Sequence, residues 1–274
     1  MWASRYSGDD WFITKHQLLV TETTNEIFNK TLYTHLTAHT VPYWVRVQIA
    51  NDAASAPEWH LLFERFNNGG YNNQWMVIDY KLFRSGQALA PNTLVVGEQA
   101  PGLYVFDDQT AFLSRTGYWA SYNVPFYPQI WEYSGYPEMY RRFGNPFSWS
   151  QCARARIYRR DQPAVQSLDG LKRIQRYNQW QTDPESLQDA CRGISARCDL
   201  NSPWQNGTMN GFAAFGAVDG KVTDESLVKA MISHAVQGPT WLQQHIFHWS
   251  ETWQSIPTLE LPRAYAFDWV EMKD

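Results

Sequence analysis

The stretch Gly69-Gly-Tyr-Asn-Asn-Gln-Trp-Met-Val-Ile-Asp-Tyr-Lys81 decides the fold of this chain. Two glycines interrupt the preceding helical pattern, and the residues after the asparagines point alternately to two faces of a strand. One face carries Trp75, Val77 and Asp79, and the other carries Met76, Ile78 and Tyr80. Because both faces hold apolar side chains, we predict that residues 73–80 form a central strand packed on both sides. Trp75 and Ile78 are expected to be buried.

Helices and further strands are predicted before and after this strand in the sequence. Ser55-Ala-Pro-Glu58 has the form of a capping box, and apolar residues follow it at three- and four-residue spacing. The other predicted elements are a hairpin over residues 11–24, helices within residues 42–54, 163–178 and 224–236, and strands over residues 93–98, 103–106 and 264–270. The aromatic-rich residues 118–146 favour irregular structure around short helices, and we expect them to line a cleft. Grouped strands and grouped helices, with no clear boundary, predict one α+β layered domain over residues 1–274.

The composition excludes several classes of protein. With 44% hydrophobic residues, 16% aromatic residues and a net charge of -4, the chain is globular and does not have the basic character of a nucleic-acid binder. No apolar run approaches the ~20 residues of a transmembrane helix, so no transmembrane segment is predicted. Asn29 and Asn206 begin acceptor triplets for N-glycosylation, which matter only in the secretory pathway. Because no signal peptide is visible at Met1, we expect the natural N-terminus to lie upstream.

Taken alone, the residues that could carry chemistry form no complete site. His245 and His248 have a spacing that a helix could present to a metal, but their apolar neighbours favour packing, and no metal or cofactor is indicated. Cys152 is a lone candidate nucleophile without a histidine nearby in sequence. The adjacent Asp9 and Asp10 are a candidate carboxylate pair or a turn.

Several blocks of the chain carry a family resemblance. Besides the central strand, they are Ser7-Gly-Asp-Asp-Trp-Phe-Ile13, a Thr-Glu-Thr-Thr run ending at Thr24, Tyr118-Trp-Ala-Ser-Tyr-Asn123, Arg154-Ala-Arg-Ile-Tyr-Arg-Arg160, Ile194-Ser-Ala-Arg-Cys-Asp-Leu-Asn201 and Gly238-Pro-Thr-Trp241. In content and order these blocks resemble the phospholipase B-like family of lysosomal hydrolases, and the similarity covers nearly the whole chain.

The resemblance implies a fold and a reaction. Members look like N-terminal-nucleophile hydrolases, a layered αββα sandwich with two sheets between helical layers, here incomplete at the N-terminus. Autoproteolysis exposes a cysteine whose thiol attacks an acyl carbonyl, with its own α-amine as base. The implied function is acyl hydrolysis of amide or ester bonds, with a lipid or other acyl substrate, in a lysosomal or secreted glycoprotein. The alternative is a non-catalytic lipid-binding or interaction module derived from that fold.

The resemblance also implies site residues. Asn123 matches the asparagine at the oxyanion site, Arg154 matches the active-site arginine, and Thr24 matches the threonine near the cysteine. A side-chain amide suits a developing oxyanion, and a fixed cation can hold a thiolate or a carbonyl. Structural roles stay open, since Asn123 precedes Val124-Pro125 and could be a turn residue. Arg154 could instead pair with Asp79 or Asp161.

The chain departs from the family pattern in two places. The family's nucleophilic cysteine precedes the block that here begins at Ser7, so no nucleophile is expected in this chain and the N-terminal fragment of the same precursor is the implied partner. The family's Cys-x-x-Cys is also altered. Cys191 and Cys198 could close a small disulfide loop, which would leave Cys152 free; their Cα atoms would have to lie within about 7 Å.

Overall fold

The computed structural model describes residues 10–36, 41–202, 211–214 and 216–273. The chain folds into two compact units, the first comprising residues up to 152 together with 225–231, the second comprising 153–224 and 232–274. Antiparallel sheets and helices occur in succession, which gives the predicted α+β class. None of the helices in the described ranges is long and apolar enough to cross a membrane.

The first unit is built on a five-stranded antiparallel sheet. Its strands are β1 (Trp11–Ile13), β2 (Leu18–Thr24), β3 (Asn73–Asp79), β4 (Leu94–Ala100) and β5 (Leu103–Asp108), arranged in chain order. The prediction of a central strand is confirmed, because β3 is the middle strand. Trp75 and Val77 are buried in one core, and Met76 and Ile78 pack against a second core on the opposite face. Ile78 is only partly buried, so this detail of the prediction is corrected.

Helices cover the Trp75 face of this sheet. They are α1 (Tyr43–Ala50) and α2 (Ala56–Arg65). Ser55 caps α2 as predicted, since its Oγ accepts the Glu58 N–H, while Glu58 Oε2 accepts the N–H of Ala54, the residue before the cap, at 2.8 Å. The buried face of α1 contains Val47 and Ala50, whereas Trp44 is 42% exposed.

The opposite face of the sheet is covered by residues of the aromatic region. Three short helices occur in this region of the sequence or next to it. They are α3 (Thr110–Thr116), α4 (Pro128–Tyr133) and α5 (Tyr136–Phe143). Ile130 and Tyr127 are buried in the core that contains Val96 of β4. The expectation of irregular structure around short helices is therefore confirmed for this region.

The second unit contains smaller elements. They are α6 (Ala153–Asp161), α7 (Leu168–Gln175), β6 (Asp219–Val222), β7 (Ile232–Gln237), β8 (Phe247–His248), β9 (Ala264–Tyr265) and β10 (Val270–Lys273). Strands β10, β7 and β6 form one antiparallel sheet in that order, and β8 pairs with β9. Cys191 and Cys198 are joined by a disulfide with their Cα atoms 4.6 Å apart, and the third cysteine, Cys152 of the first unit, is buried and takes no part in it.

The predicted helix over residues 224–236 is wrong for most of its length. Only α8 (Glu225–Lys229) forms, Met231 has a positive φ of 57°, and β7 then begins at Ile232. Thr223, which precedes α8, donates from its Oγ1 to Ile232 O at 2.9 Å. Residues 232–235 alternate between partly buried and buried positions, and pairing of 232–237 with two neighbouring strands outweighs their helical spacing. The strand predicted over residues 264–270 is likewise divided between β9 and β10.

Candidate functional site

A polar network lies where β2 and β3 meet at one end of the central sheet. Thr24 pairs with Asn73 across the two strands, and Glu22 pairs with Trp75. On the other side of β2, Trp11 pairs with Thr21. Extending this antiparallel register by one residue brings Asp10 opposite Glu22.

Asp10 and Glu22 form a pair of interacting carboxyl groups. Burial, together with the hydrogen bond and the negative charge of Asp10, raises the pKa of Glu22 to about 9. Tyr43 donates to Asp10 Oδ1 at 2.8 Å, and the amide of Asn73 donates to Glu22 Oε2 at 3.1 Å when it is oriented to satisfy its neighbours. The pair therefore holds a proton at neutral pH.

Tyr71 connects this carboxyl pair to Thr24. Its hydroxyl donates to Asp10 Oδ2 at 3.0 Å and also forms a hydrogen bond with the side chain of Thr24. Burial is the main reason that the pKa of Tyr71 is raised above its usual value, so the phenol stays protonated. The hydroxyl of Thr24 thus has a fixed partner.

Asn123 lies beside the same residue. Its Nδ2 donates to Thr24 O at 2.8 Å, although 99 positions separate the two residues in sequence. The backbone of Asn123 is left-handed, with φ of 58°, a conformation that asparagine adopts more readily than most residues. Asn123 is therefore both a bend residue and an exposed amide donor next to Thr24.

Two further contacts hold the segment that carries Asn123. Ser121 Oγ is hydrogen-bonded to Thr23 Oγ1, and Tyr136 OH donates to Asn123 O at 3.2 Å. Tyr136 OH in turn accepts the Glu26 N–H at 3.1 Å. The segment is thus attached to the end of β2 through Ser121, and to Glu26, just after β2, through the backbone oxygen of Asn123.

A buried carboxyl group in β4 fixes the continuation of this segment. Glu98 is 0% exposed, and it accepts the backbone N–H groups of Phe126 at 2.8 Å and Tyr127 at 2.9 Å, with a further bond from Gln74 Nε2 at 2.5 Å. Burial raises the pKa of Glu98 to about 7, while these hydrogen bonds lower it and so limit the rise.

Arg154 belongs to the second unit. It lies in the first turn of α6, is partly buried, and its charge acts on Tyr158 one turn later. The two carboxylates considered as alternative partners of Arg154 each pair with a different cation. Asp79 pairs with Lys81 at 2.8 Å, and Asp161 pairs with Arg160 at 2.7 Å. The structure brings together Thr24 and Asn123 of the three expected residues, and the role of Arg154 stays a prediction.

The remaining candidate residues are placed as follows. His248 lies in β8 and His245 precedes that strand outside any helix, so the helical presentation considered for a metal does not occur. Asn29 is exposed, as glycosylation requires, whereas Asn206 lies outside the described residues. Asp9 is also outside them, and the carboxyl partner of Asp10 is Glu22.

The comparisons with known proteins agree with the family blocks. The model of the Phospholipase B family matches residues 3–272. Phospholipase B-like protein B of Dictyostelium discoideum is 42% identical over 98% of this chain, and phospholipase B-like 1 of Homo sapiens is 39% identical over 97%. Putative phospholipase B-like 2 of Mus musculus is 40% identical over 90%. The matches cover 46%, 47% and 44% of these relatives, so the chain spans about half of their length. From the family match and these identities, this chain belongs to the phospholipase B family.

Proposed function

We propose that this chain is the transition-state-stabilising part of an acyl hydrolase that cleaves amide or ester bonds of lipids. The observation that carries the proposal is the hydrogen bond from Asn123 Nδ2 to Thr24 O, because it joins two of the three residues expected at the site. Family membership supports a hydrolase, and the names of the relatives point to phospholipids. A lysosomal or secreted location and an αββα layered sandwich completed by the precursor's N-terminal fragment are parts of the same proposal.

Asn123 is assigned to the oxyanion. An asparagine Nδ2 carries two N–H groups, and the one directed at Thr24 O fixes the plane of the amide. The proposal gives the other N–H to the carbonyl oxygen of the substrate as that oxygen becomes negative. A donor whose orientation is fixed before the reaction needs no reorganisation during it, which is the source of its catalytic effect.

Thr24 and Arg154 are assigned positioning roles. Thr24 has its hydroxyl bonded to Tyr71 and its carbonyl bonded to Asn123, so it would set the distance between the attacking atom and the oxyanion donor. Arg154 is assigned the fixed cation that holds the thiolate or the carbonyl, because it opens the arginine-rich block that the family shares.

The attacking group is proposed to be a cysteine thiol supplied by the N-terminal fragment. Its α-amine takes the thiol proton, the sulfur bonds to the acyl carbon, and the carbonyl oxygen gains the charge. When this intermediate collapses, the alcohol or amine leaves with that proton. Water then attacks the thioester and releases the fatty acid, which regenerates the thiol.

The test is hydrolysis of a lysophospholipid and of a fluorogenic thioester by this chain joined to the segment that carries the cysteine. Asn123→Ala and Asn123→Asp should each lower kcat by roughly 10²–10³, as loss of an oxyanion donor does. Asn92→Ala is the matched control, since Asn92 also has a positive φ, 65°, and lies in another loop. Wild-type kcat in both Asn123 variants would refute the assignment.

The 274-residue chain by itself should not hydrolyse either substrate. Cys152 is 7% exposed and, inside the chain, has no α-amine to take its proton. Turnover by the chain alone that disappears in Cys152→Ser would contradict the proposal and make Cys152 the nucleophile.

A further inference from the structure

A cavity of about 270 Å³ lies within the second unit, beside α7. Its walls combine two kinds of side chain. The cationic ones are Lys172, Arg173 and Arg176, and the aromatic ones are Trp241, Phe267 and Trp269. None of these residues is a member of the candidate site described above.

Arg176 is the most informative residue of the lining. Only 5% of it is exposed, and one of its N–H groups, on Nη1, donates to Gly238 O at 2.8 Å. No ion pair among the described residues includes Arg176. A guanidinium carries five N–H donors and stays charged at neutral pH. The carboxylate whose charge acts on Arg176, that of Asp219, pairs with Lys221 and forms no ion pair with Arg176. An anion bound in the cavity would therefore offset the cost of burying this cation.

Lys172 adds a second cation at the aromatic wall. Its Nζ lies 5.5 Å from the ring centre of Trp269, within the range of a cation–π contact. The acidic partner of Lys172 is Asp169, at 3.7 Å, whose side chain is 77% exposed, so solvent weakens this pair. Asp268, the other acid of the lining, is exposed, and so is the third cation, Arg173. The two charged groups of the lining that are shielded from solvent are therefore both cationic, Lys172 and Arg176.

The aromatic wall is held in place and partly open to solvent. Trp241 Nε1 donates to Phe267 O at 3.2 Å, which joins two of the aromatic residues. Both Trp241 and Phe267 are 37% exposed. A ligand can therefore place an anionic group near Arg176 and Lys172 and lay an apolar chain along these rings.

We propose that this cavity binds a single-chain amphiphile with an anionic head, either a carboxylate or a phosphate monoester. A volume of about 270 Å³ equals that of roughly nine liquid waters, enough for the head and the first part of an alkyl chain. The rest of the chain would leave along Trp241. This binding site is additional to the proposed hydrolysis and does not depend on it.

The test is calorimetric titration of the 274-residue chain with three ten-carbon probes below their micellar concentrations. Decanoate and decyl phosphate distinguish the two possible heads, and decyltrimethylammonium controls for nonspecific apolar binding. We expect saturable binding at one site for at least one anionic probe and at least about tenfold weaker binding of the cationic one. Equal affinity for all three probes, or no saturable binding, would overturn the proposal.

Variants locate the binding within the cavity. Lys172→Met and Arg176→Met should each weaken binding of the preferred anionic probe by about tenfold. Arg263→Gln, an exposed arginine of the same unit outside the lining, should leave the affinity within about twofold. Because Arg176 also holds Gly238, thermal melting accompanies each variant, and Lys172→Met decides the question if Arg176→Met unfolds. If Lys172→Met binds the preferred anionic probe as tightly as Arg263→Gln does, the proposal is overturned.

Discussion

Glu98 Oε1 accepts the backbone N–H of Phe126 at 2.8 Å, so a carboxyl group inside the sheet holds the segment that follows Asn123. A second backbone N–H, from Tyr127, reaches the other oxygen of the same group. A buried carboxyl group with these partners is an acceptor that no neutral side chain of equal shape reproduces. The position of the candidate oxyanion donor therefore depends on a residue outside the candidate site.

Glu98→Gln should lower the free energy of unfolding by about 1–3 kcal/mol, because the new NH₂ group would face N–H donors in a buried place. Urea denaturation measures the change. Glu64→Gln in α2 is the control, since Glu64 is exposed and should change stability by no more than about 0.5 kcal/mol. Equal stability of the two variants would show that the Glu98 bonds do not hold the segment.

The Asp10–Glu22 pair should make stability depend on pH in the alkaline range. The folded pKa of Glu22, about 9, lies above its ordinary value of 4.5, so the folded state keeps a proton that the unfolded state releases. Its contribution is complete below about pH 4.5 and is lost as the pH rises toward 9. Glu22→Gln should therefore reduce the fall in unfolding free energy between pH 7 and 9.

That pH window separates Glu22 from the other buried groups. Glu98, with a folded-state pKa of about 7, makes the free energy of unfolding depend on pH mainly below pH 7. His60, whose pKa is lowered by burial to about 3, does so below pH 6.5. Glu26→Gln, at an exposed carboxyl two residues after Thr24, should leave the slope unchanged. An unchanged slope in Glu22→Gln would mean that the carboxyl pair does not share a proton.

Gly97 should not tolerate a side chain. A Cβ added there would lie 2.5 Å from His60 Nδ1 and 2.5 Å from Tyr104 OH, two atoms that are themselves hydrogen-bonded at 2.6 Å. Gly97→Ala should lower the free energy of unfolding by about 1–3 kcal/mol through overpacking. Gly211→Ala is the control, because nothing lies within 4 Å of the added Cβ. Similar melting temperatures for the two variants would contradict the packing of His60 against β4.

The disulfide between Cys191 and Cys198 should stabilise the second unit measurably. Its closed loop is short, with a sequence separation of 7, and chain entropy for such a loop corresponds to about 2–3 kcal/mol. The double variant Cys191→Ser, Cys198→Ser should unfold at correspondingly lower urea. Adding a reductant should lower the stability of the wild type but leave the double variant unchanged. A wild type insensitive to reductant would mean that the bond contributes nothing.

The parts of the fold that could be predicted are those set by local patterns. The alternation at Trp75 and Met76 predicts a strand with two covered faces because successive side chains point to opposite sides. The pairing of Asp10 with Glu22 depends instead on the register between β1 and β2, which the sequence does not state. From the sequence, Asp9 was the candidate partner of Asp10, because only residues adjacent in the sequence can be paired before the strands are aligned.

The candidate site was located by resemblance and not by pattern. No periodicity links Thr24 to Asn123, since their contact spans 99 positions. Glu98 was missed because a carboxylate in a predicted strand is ordinarily exposed, and its N–H donors lie in an irregular segment. Similarly, the spacing that favoured a helix over 224–236 could not reveal that strands on both sides would pair with residues 232–237.

The division of the chain between the two units affects how the protein can be synthesised and folded. Residues 225–231 belong to the first unit, but 72 residues of the second, 153 to 224, are made before them. A chain emerging from the ribosome can pair β1 to β5 early, yet it receives the buried Val228 only after that intervening stretch. A truncation at Cys152 would accordingly leave the first unit without one of its own helices. Completion of the unit that carries Asn123 is thus delayed until much of the second has been translated.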